Sequence, residues 1–294
     1  MIEVSHLTQV YRSGKGIFDV SFTIDKGEVF GYLGPNGAGK TTTIRNLLGF
    51  VNADCGTAII NGIDPRQHPN KILGTVGYLP GEIAFFDSMT GTQFLKFLAG
   101  MRNQPGMDRA QELLDRLELV PGVKIKKMSK GMKQKLGIVA AFMHDPQVLI
   151  LDEPTSGLDP LMQNEMLKMV MEEKSKGKTV LMSSHSFEEI EKTCDRAGII
   201  RDGKLVSIED IASLKNDSAQ KFIVRLESKT DVDKLLGSTL CTAKKDETRV
   251  EIKVDGSLKE MLTVLSKLDV AELGVVPRTL EDVFMKFYGK GESK

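Results

Sequence analysis

The stretch Gly34-Pro35-Asn36-Gly37-Ala38-Gly39-Lys40-Thr41-Thr42 fills every position of the phosphate-binding loop pattern G-x-x-x-x-G-K-[ST]. The apolar run 29–33 before it predicts a short buried strand, and residues 42–48 after it predict a helix. A strand, a glycine loop and a helix in this order point backbone N–H groups and a helix N-terminus at a polyphosphate. We therefore expect a nucleoside triphosphate site, in which Lys40 reaches the β- and γ-phosphates and the Thr41 hydroxyl binds Mg²⁺.

A second motif places two carboxylates after a buried strand. Residues 148–151 are four apolar residues, and Asp152 and Glu153 follow them directly. Such a run predicts a central strand that delivers both acids at its carboxyl end, where open α/β sheets bind ligands. Asp152 is expected to hold Mg²⁺, directly or through water, and Glu153 is expected to polarise the attacking water.

The rest of the pattern predicts a mostly parallel α/β sheet, because strand and helix signals alternate around the phosphate loop. Residues 88–143 interrupt it with helical periodicity alone, which predicts an all-helical insertion. Its first helix begins at a capping box, Thr90 to Gln93, and its third at Ser129. A second capping box is predicted at 186–189, and a hairpin at the Asp202-Gly203 turn. The strands are predicted at 2–7, 20–24, 29–33, 56–60, 75–79, 148–151, 179–183, 198–201 and 204–207.

The C-terminal part reads as a separate small α+β domain. The polar stretch 210–219 predicts a linker, after which strand and helix signals start again. We expect an ATPase domain over residues 1–215 and an accessory domain over 220–294. In the accessory domain, strands are predicted at 221–226, 249–254 and 271–276, and helices at 231–236, 258–268 and 280–288.

Composition excludes several classes of protein. The 294 residues contain 40 Lys+Arg and 40 Asp+Glu, so no global basic field attracts nucleic acid, and no nucleic-acid partner is expected. The widely separated cysteines, Cys55, Cys194 and Cys241, form neither a disulfide framework nor a metal-binding spacing. The N-terminus predicts no secretion signal, and the apolar runs are too short to span a bilayer. Any membrane role is therefore expected to run through a partner.

Further motifs, in a fixed order from Ile2 to about Ser207, resemble the ATP-binding subunits of ABC transporters. Residues 128–132, Met-Ser-Lys-Gly-Met, resemble the family's signature motif Leu-Ser-Gly-Gly-Gln. Residues 156–159 resemble its D-loop, His185 resembles its switch histidine, and Tyr11 resembles the aromatic residue that stacks on adenine. The resemblance implies a P-loop NTPase core with an added antiparallel β subdomain.

The resemblance also implies roles for these residues. Two such domains meet head to tail, and each ATP lies between one chain's residues 34–42 and the other chain's Ser129 and Gly131. Glu153 acts as the base, His185 senses or orients the γ-phosphate, and Asp159 couples the two sites. The expected nucleotide-binding set is Tyr11, Gly34, Pro35, Asn36, Gly37, Ala38, Gly39, Lys40, Thr41, Thr42, Ser129, Gly131 and Asp159.

The chain departs from the family pattern at two places. Lys130 stands where the signature has its first glycine, and either adds a cation near the γ-phosphate or points outward. Gly81 stands where the family usually has the Q-loop glutamine, and Glu82 follows it. We expect Glu82 to take over the glutamine's contact with Mg²⁺, which gives a metal set of Thr41, Asp152 and Glu82.

The sequence 78–82, the Ser-Lys-Gly-Met signature and the ending 278–284 together resemble one branch, the ATPase subunits of bacterial drug and antibiotic exporters of the daunorubicin-resistance type. The resemblance implies an ATP-hydrolysing subunit that powers a membrane exporter. Its implied partners are a second ATPase chain, identical or a sister subunit, and a polytopic permease. The implied location is the cytoplasm, peripheral on the inner face of the cell membrane through that permease.

The sequence disfavours two rival functions. A soluble ABC-type ATPase acting on ribosomes or DNA usually carries two cassettes or a long coiled-coil insertion, and neither is present in this sequence. A non-hydrolysing regulatory module is disfavoured because the phosphate loop, both acids and His185 are all present.

A run of lysines surrounds the signature motif without interleaved acids. A solvated face is the favoured interpretation of such a run, and contact with a membrane partner or lipid headgroups is the alternative. The lysines are Lys124, Lys126, Lys127, Lys130, Lys133 and Lys135.

Overall fold

The computed structural model describes residues 1–102, 107–216, 219–255, 258–276, 279–281 and 285. The chain divides into two compact units, Met1–Glu209 and Asp210–Lys294. Within the polar stretch predicted as a linker, Asp210 ends a strand and Ile211–Asn216 form a helix. Ile211 and Leu214, one helical turn apart, are 5% and 7% exposed, and this apolar pair explains the helix.

A six-stranded sheet with strand order β5-β6-β7-β3-β8-β9 forms the centre of the first unit. Its pairs β5–β6, β6–β7, β7–β3 and β3–β8 are parallel, as the alternating pattern predicts. The strands are β3 (Val29–Leu33), β5 (Val76–Leu79), β6 (Val148–Asp152), β7 (Thr179–Ser184), β8 (Arg196–Arg201) and β9 (Lys204–Asp210). Because β5, β6, β7 and β3 are parallel neighbours, the loops that follow them all leave from one edge.

A smaller antiparallel sheet, β2-β1-β4, packs its apolar residues into the same core as β3 and the first helix. It consists of β1 (Ile2–Val10), β2 (Gly16–Ile24) and β4 (Cys55–Ile60). Helix α1 (Lys40–Leu47) follows the phosphate loop, and α2 (Pro69–Thr75) precedes β5. The sequence pattern does not predict α2, whose only buried residue is Ile72, so it shows no apolar periodicity.

The insertion is helical, as predicted, with α3 (Gly91–Met101), α4 (Asp108–Arg116), a short 3₁₀ helix (Ile125–Lys127) and α5 (Lys130–Phe142). Both hydrogen bonds of the Thr90–Gln93 capping box form at α3. His144, just after α5, accepts from Arg102 at the end of α3 and is 3.3 Å from the carbonyl oxygen of Val76. Burial, with the Arg102 charge, lowers the pKa of His144 to about 4. The imidazole is therefore neutral near pH 7 and ties α3 to β5.

Two helices complete the first unit, α6 (Pro160–Ser175) and α7 (Phe187–Thr193). The predicted capping box at α7 is only half formed. Ser186 Oγ accepts from the Glu189 N–H, but the Glu189 carboxylate binds Thr155 and Ser184 and does not reach back to residue 186. At the hairpin between β8 and β9, Asp202 and Gly203 both have positive φ, 49° and 77°, as a two-residue hairpin turn requires.

The second unit has the chain order β-α-β-β-α-β. Its elements are α8 (Ile211–Asn216), β10 (Ala219–Leu226), α9 (Lys229–Leu236), β11 (Cys241–Lys244), β12 (Arg249–Asp255), α10 (Lys259–Leu265) and β13 (Val270–Val276). The antiparallel strand order β11-β12-β10-β13 after α8 is that of a ferredoxin-like fold. The short strand β11 is not predicted, and most of the predicted helix 280–288 lies outside the described residues.

Candidate nucleotide site

The phosphate loop lies between β3 and α1 and is shaped by its glycines. A Cβ atom on Gly34 would stand 2.4 Å from the carbonyl oxygen of Ile200, so no side chain fits there. Gly39 has φ 112°, a conformation that L side chains rarely adopt, and it precedes the first residue of α1. Because these positions carry no side chain, a phosphate group can approach the backbone N–H groups of the loop closely.

Lys40 is the first residue of α1, directly after the loop, and is only 5% exposed. Its ammonium donates to the carbonyl oxygens of Gly34, at 2.7 Å, and Pro35, at 3.3 Å, and lies 3.3 Å from Glu153 Oε1. The other carboxylate oxygen of Glu153 is 3.5 Å from Nδ1 of His185, a residue that is 62% exposed. The structure thus brings together Lys40, Glu153 and His185, which the sequence assigns to one site from three separate motifs.

Asp152, 1% exposed, is held by two hydroxyl groups. Thr41 Oγ1 donates to Asp152 Oδ2 at 2.8 Å, and Ser183 Oγ donates to Oδ1. Since Thr41 lies in the first turn of α1, at the end of the phosphate loop, and Ser183 lies on β7, this carboxylate joins the phosphate loop to two central strands. Ser183 is missed by sequence reasoning, because a serine inside an apolar strand gives no local signal.

Glu153 adopts a left-handed backbone conformation, with φ 50°. This conformation costs a non-glycine residue about 1–2 kcal/mol and is held by surrounding bonds. The Glu153 N–H reaches Ser183 Oγ at 3.1 Å and the Ser183 carbonyl oxygen at 3.2 Å. The buried Gln134 amide of α5 donates to the Pro154 carbonyl oxygen at 2.9 Å. Gln134 is another support that the sequence analysis does not identify.

Two adjoining clefts flank the phosphate loop. One has a volume of about 320 Å³ and includes Tyr11, Ser13 and Lys15 together with the loop. The other, of about 480 Å³, extends from Thr41 towards Glu82 and Lys130. Both volumes fall in the range of small-molecule sites, roughly 300–1,000 Å³. Tyr11, 38% exposed, lines the cleft beside the phosphate loop.

The second cleft fits a magnesium ion in its chemistry. Mg²⁺ is usually bound by one or two carboxylates together with substrate phosphates and water. Among the described residues no group of three or more His, Cys, Asp or Glu side chains is placed to hold a metal by itself. The Thr41 hydroxyl and the Asp152 carboxylate, 2.8 Å apart, are the donor types that a phosphate-bound Mg²⁺ requires.

The region of the missing glutamine lies against Asp152. A Cβ atom on Gly81 would be 3.3 Å from Asp152 Oδ2, so this backbone passes directly beside the carboxylate. Glu82 and Tyr78 line the same cleft. Burial, and secondarily the Asp152 charge, raises the pKa of Tyr78 to about 12, which keeps its phenol protonated.

Ser129 and Asp159 act as helix caps. Ser129 Oγ accepts from the Met132 N–H at the start of α5, and Asp159 Oδ1 accepts from the N–H groups of Leu161 and Met162 at the start of α6. Both residues are exposed, and neither is among the residues that line the two clefts. Within this chain, Ser129 and Asp159 therefore cap their own helices and do not contribute to the walls of the two clefts.

Lys130 is exposed and lines the second cleft, together with Thr41 and Asp152. Its aliphatic stem lies across Gly157, where a Cβ atom would be 3.0–3.1 Å from three carbons of the lysine. The next residue, Gly131, approaches the Gly157 carbonyl oxygen so closely that a Cβ atom would be 3.0 Å from it. The glycines at 131 and 157 therefore permit α5 to begin directly on the loop that follows the two acids.

Comparison with known proteins agrees with this geometry. A family model described as "ABC transporter" matches residues 17–156. The "Linearmycin resistance ATP-binding protein LnrL" of Bacillus subtilis (strain 168) is 32% identical over 99% of this chain and 99% of its own length. The "Bacitracin transport ATP-binding protein BcrA" of Bacillus licheniformis is 31% identical over 99% of this chain and 98% of its own length.

A solved structure, "Structure of ATP binding subunit of ABC transporter", matches with a TM-score of 0.69 and 31% identity. It covers 74% of this chain and 92% of the solved chain.

The contact between Lys130 and Gly157 predicts a specific coupling. Gly157→Ala should lower the free energy of unfolding more than Gly177→Ala, because both glycines have φ near 77° but only Gly157 is covered by a neighbouring side chain. In a Lys130→Ala background, the difference in destabilisation between Gly157→Ala and Gly177→Ala should shrink by about 0.5–1 kcal/mol. Chemical denaturation of the four variants measures this. Equal costs for the two alanine substitutions in the parent would contradict the packing described.

Proposed function

Since the chain belongs to the family of ABC transporter ATP-binding proteins and is an ATPase of that family, we propose that it is the subunit that powers a membrane exporter. One observation carries the ATPase mechanism: Lys40, Thr41, Asp152 and Glu153 meet at one edge of the sheet. Export is supported by relatives named for linearmycin resistance and bacitracin transport, which match over nearly the whole chain.

The site residues divide the work of phosphoryl transfer. Lys40 and the loop N–H groups bind the terminal phosphates, and Thr41 and Asp152 hold Mg²⁺. When bound, Mg²⁺ neutralises charge on the phosphate oxygens. Glu153 accepts a proton from the attacking water. Its left-handed backbone, fixed by Ser183, holds the carboxylate between Lys40 and His185. His185, at the exposed end of this row, orients the γ-phosphate.

We propose that the site is completed by a second chain, either identical or a sister subunit. A γ-phosphate held on one side by Lys40 needs donors on its other side, and a capped helix start such as that at Ser129 supplies them. Ser129 is exposed and does not line its own chain's clefts, which favours its use, with Gly131, by a partner. Asp159 would then stand at the contact between the two chains.

We further propose that a polytopic permease binds the helical insertion and holds the chain at the inner face of the cell membrane. Among the described residues, no helix has the length and apolar character needed to cross a bilayer. Phe86, in the loop before the insertion, and Phe97 and Met101, in α3, are 53%, 40% and 69% exposed. The rings of Phe86 and Phe97 are 5.7 Å apart. Exposed aromatic residues and methionine are typical of protein interfaces.

Replacement of the base separates binding from hydrolysis. Glu153→Gln should lower the ATPase rate by about 10²–10⁴-fold, because the amide does not accept the proton. ATP should still bind, so the variant should accumulate as an ATP-dependent dimer in size-exclusion chromatography. Glu112→Gln, on the exposed face of α4, is the matched control. A Glu153→Gln protein that turns over at the parent rate would refute the role of Glu153.

Mixed dimers test whether the sites are shared between chains. Ser129→Arg and Lys40→Ala chains should each be inactive alone. Mixed in equal amounts they should recover about a quarter of the parent activity, because half of the dimers then contain one intact site. If both required residues acted within one chain, the mixture would remain inactive. ATPase activity against mixing ratio is the measurement.

Glu82→Ala tests the replacement for the Q-loop glutamine. Because Glu82 lines the cleft beside Thr41 and Asp152, its loss should raise the Mg²⁺ concentration for half-maximal ATPase activity about tenfold, the effect of one lost metal contact. Glu112→Ala serves as the control for loss of a carboxylate elsewhere. An unchanged Mg²⁺ titration would show that Glu82 does not take this role.

A further inference from the structure

The turn between α4 and α5 carries a cluster of positive charge that the proposed site does not use. Lys124, Lys126 and Lys127, here called the basic turn, are all exposed. Within the part of the chain that the structure describes, none of the three lies within 4.0 Å of a carboxylate. The basic turn is therefore a local positive field on a chain whose formal net charge is zero.

The backbone fixes the direction of these side chains. Ile125 and Met128, one turn of 3₁₀ helix apart, are 0% and 6% exposed and anchor the segment in the insertion. The Ile125 N–H donates to the Met89 carbonyl oxygen at 2.9 Å, and the Thr92 N–H donates to the Pro121 carbonyl oxygen at 3.0 Å. With the apolar positions held inward, the three lysines are displayed together on the outer side.

Several lysines elsewhere in the chain, unlike the three of the basic turn, lie beside a carboxylate that the structure describes. Many lysines outside the turn have a carboxylate partner within 4.0 Å, among them Lys168, Lys174, Lys176, Lys178, Lys192, Lys229, Lys234 and Lys245. Like charges held near one another repel, and that repulsion is relieved when an anionic surface lies opposite. The basic turn lacks such relief among the described residues of its own chain.

The neighbouring residues favour a lipid surface over a protein partner. Val120 and Val123, at the start of the same segment, are 72% and 36% exposed. Lysines beside small exposed apolar residues suit the boundary between headgroups and acyl chains, where lysine acts as a point charge. A protein interface that recognises carboxylates more often uses arginine in bidentate pairs, and the basic turn contains none.

We propose that the basic turn binds the anionic headgroup surface of a phospholipid membrane. The chain then contacts lipid by its own residues, beside any contact that it makes through a permease. Because the turn lies outside the ATP site, this binding requires neither nucleotide nor a second chain. Failure of the proposed ATPase mechanism would leave it unaffected.

Vesicle co-sedimentation of the full chain tests the proposal. The parent should bind phosphatidylcholine vesicles that contain about 30% phosphatidylglycerol and should not bind pure phosphatidylcholine, with binding lost at high salt. The variant Lys124→Gln/Lys126→Gln/Lys127→Gln should bind anionic vesicles more weakly by on the order of a hundredfold, about fivefold for each lysine. Its basal ATPase rate should match the parent, which reports that the variant is folded.

A second triple variant controls for net charge. Lys26→Gln/Lys71→Gln/Lys204→Gln removes the same charge from exposed positions in the β2–β3 turn, α2 and β9. Its vesicle binding should stay within about twofold of the parent. Equal losses in both triple variants would show a net-charge effect and overturn the proposal. Absence of parent binding to anionic vesicles would also overturn the proposal. If the basic-turn variant lost permease binding but kept its vesicle binding, the lysines would be assigned to a protein partner instead.

Discussion

The buried carboxylate of Asp152 is the constraint on which the site depends. A buried charge is tolerated only where polar partners replace its water, and here the hydroxyls of Thr41 and Ser183 do so. These two residues belong to the phosphate loop and to β7, so the carboxylate joins three segments of the site. Glu153 follows in the chain and takes its position from the same serine, and Lys40 and His185 then lie on either side of it.

The parts of the site that follow from sequence are those encoded by contiguous residues at strand ends. The loop 34–42 and the pair Asp152-Glu153 each carry a local pattern, and a parallel sheet brings the ends of adjacent strands to one edge. His185 comes to Glu153 for the same reason, because β7 pairs with β6. The capping box at Thr90 is also local, since both partners lie within one helical turn.

The remaining features depend on contacts between distant segments. Glu189 shows the capping-box spacing, yet its carboxylate binds Thr155 and Ser184, because two hydroxyls already lie within reach of it in the fold. The direction of Lys130 depends on Gly157, which offers an uncovered backbone for the lysine stem. The left-handed φ of Glu153 is set by Ser183, a residue 30 positions away. The helix and strand propensities of the individual residues do not predict these contacts.

Two contacts join the N-terminal part of α5 to the loop that follows the two acids. Gln134 is 5% exposed and donates to the Pro154 carbonyl oxygen, so separating α5 from this loop would leave a buried donor unpaired, at about 1–3 kcal/mol. A Cβ atom on Gly131 would lie 3.0 Å from the Gly157 carbonyl oxygen, so the two backbones pass close to each other. We therefore expect a displacement of Ser129 to be transmitted to Glu153 through these contacts. In a dimer with shared sites, Ser129 of one chain would contact the phosphate that is bound by its partner. Glu153 of the same chain would act at that chain's own site, and the two residues would belong to one connected part of the structure. The state of one site would then bear directly on the geometry of the other.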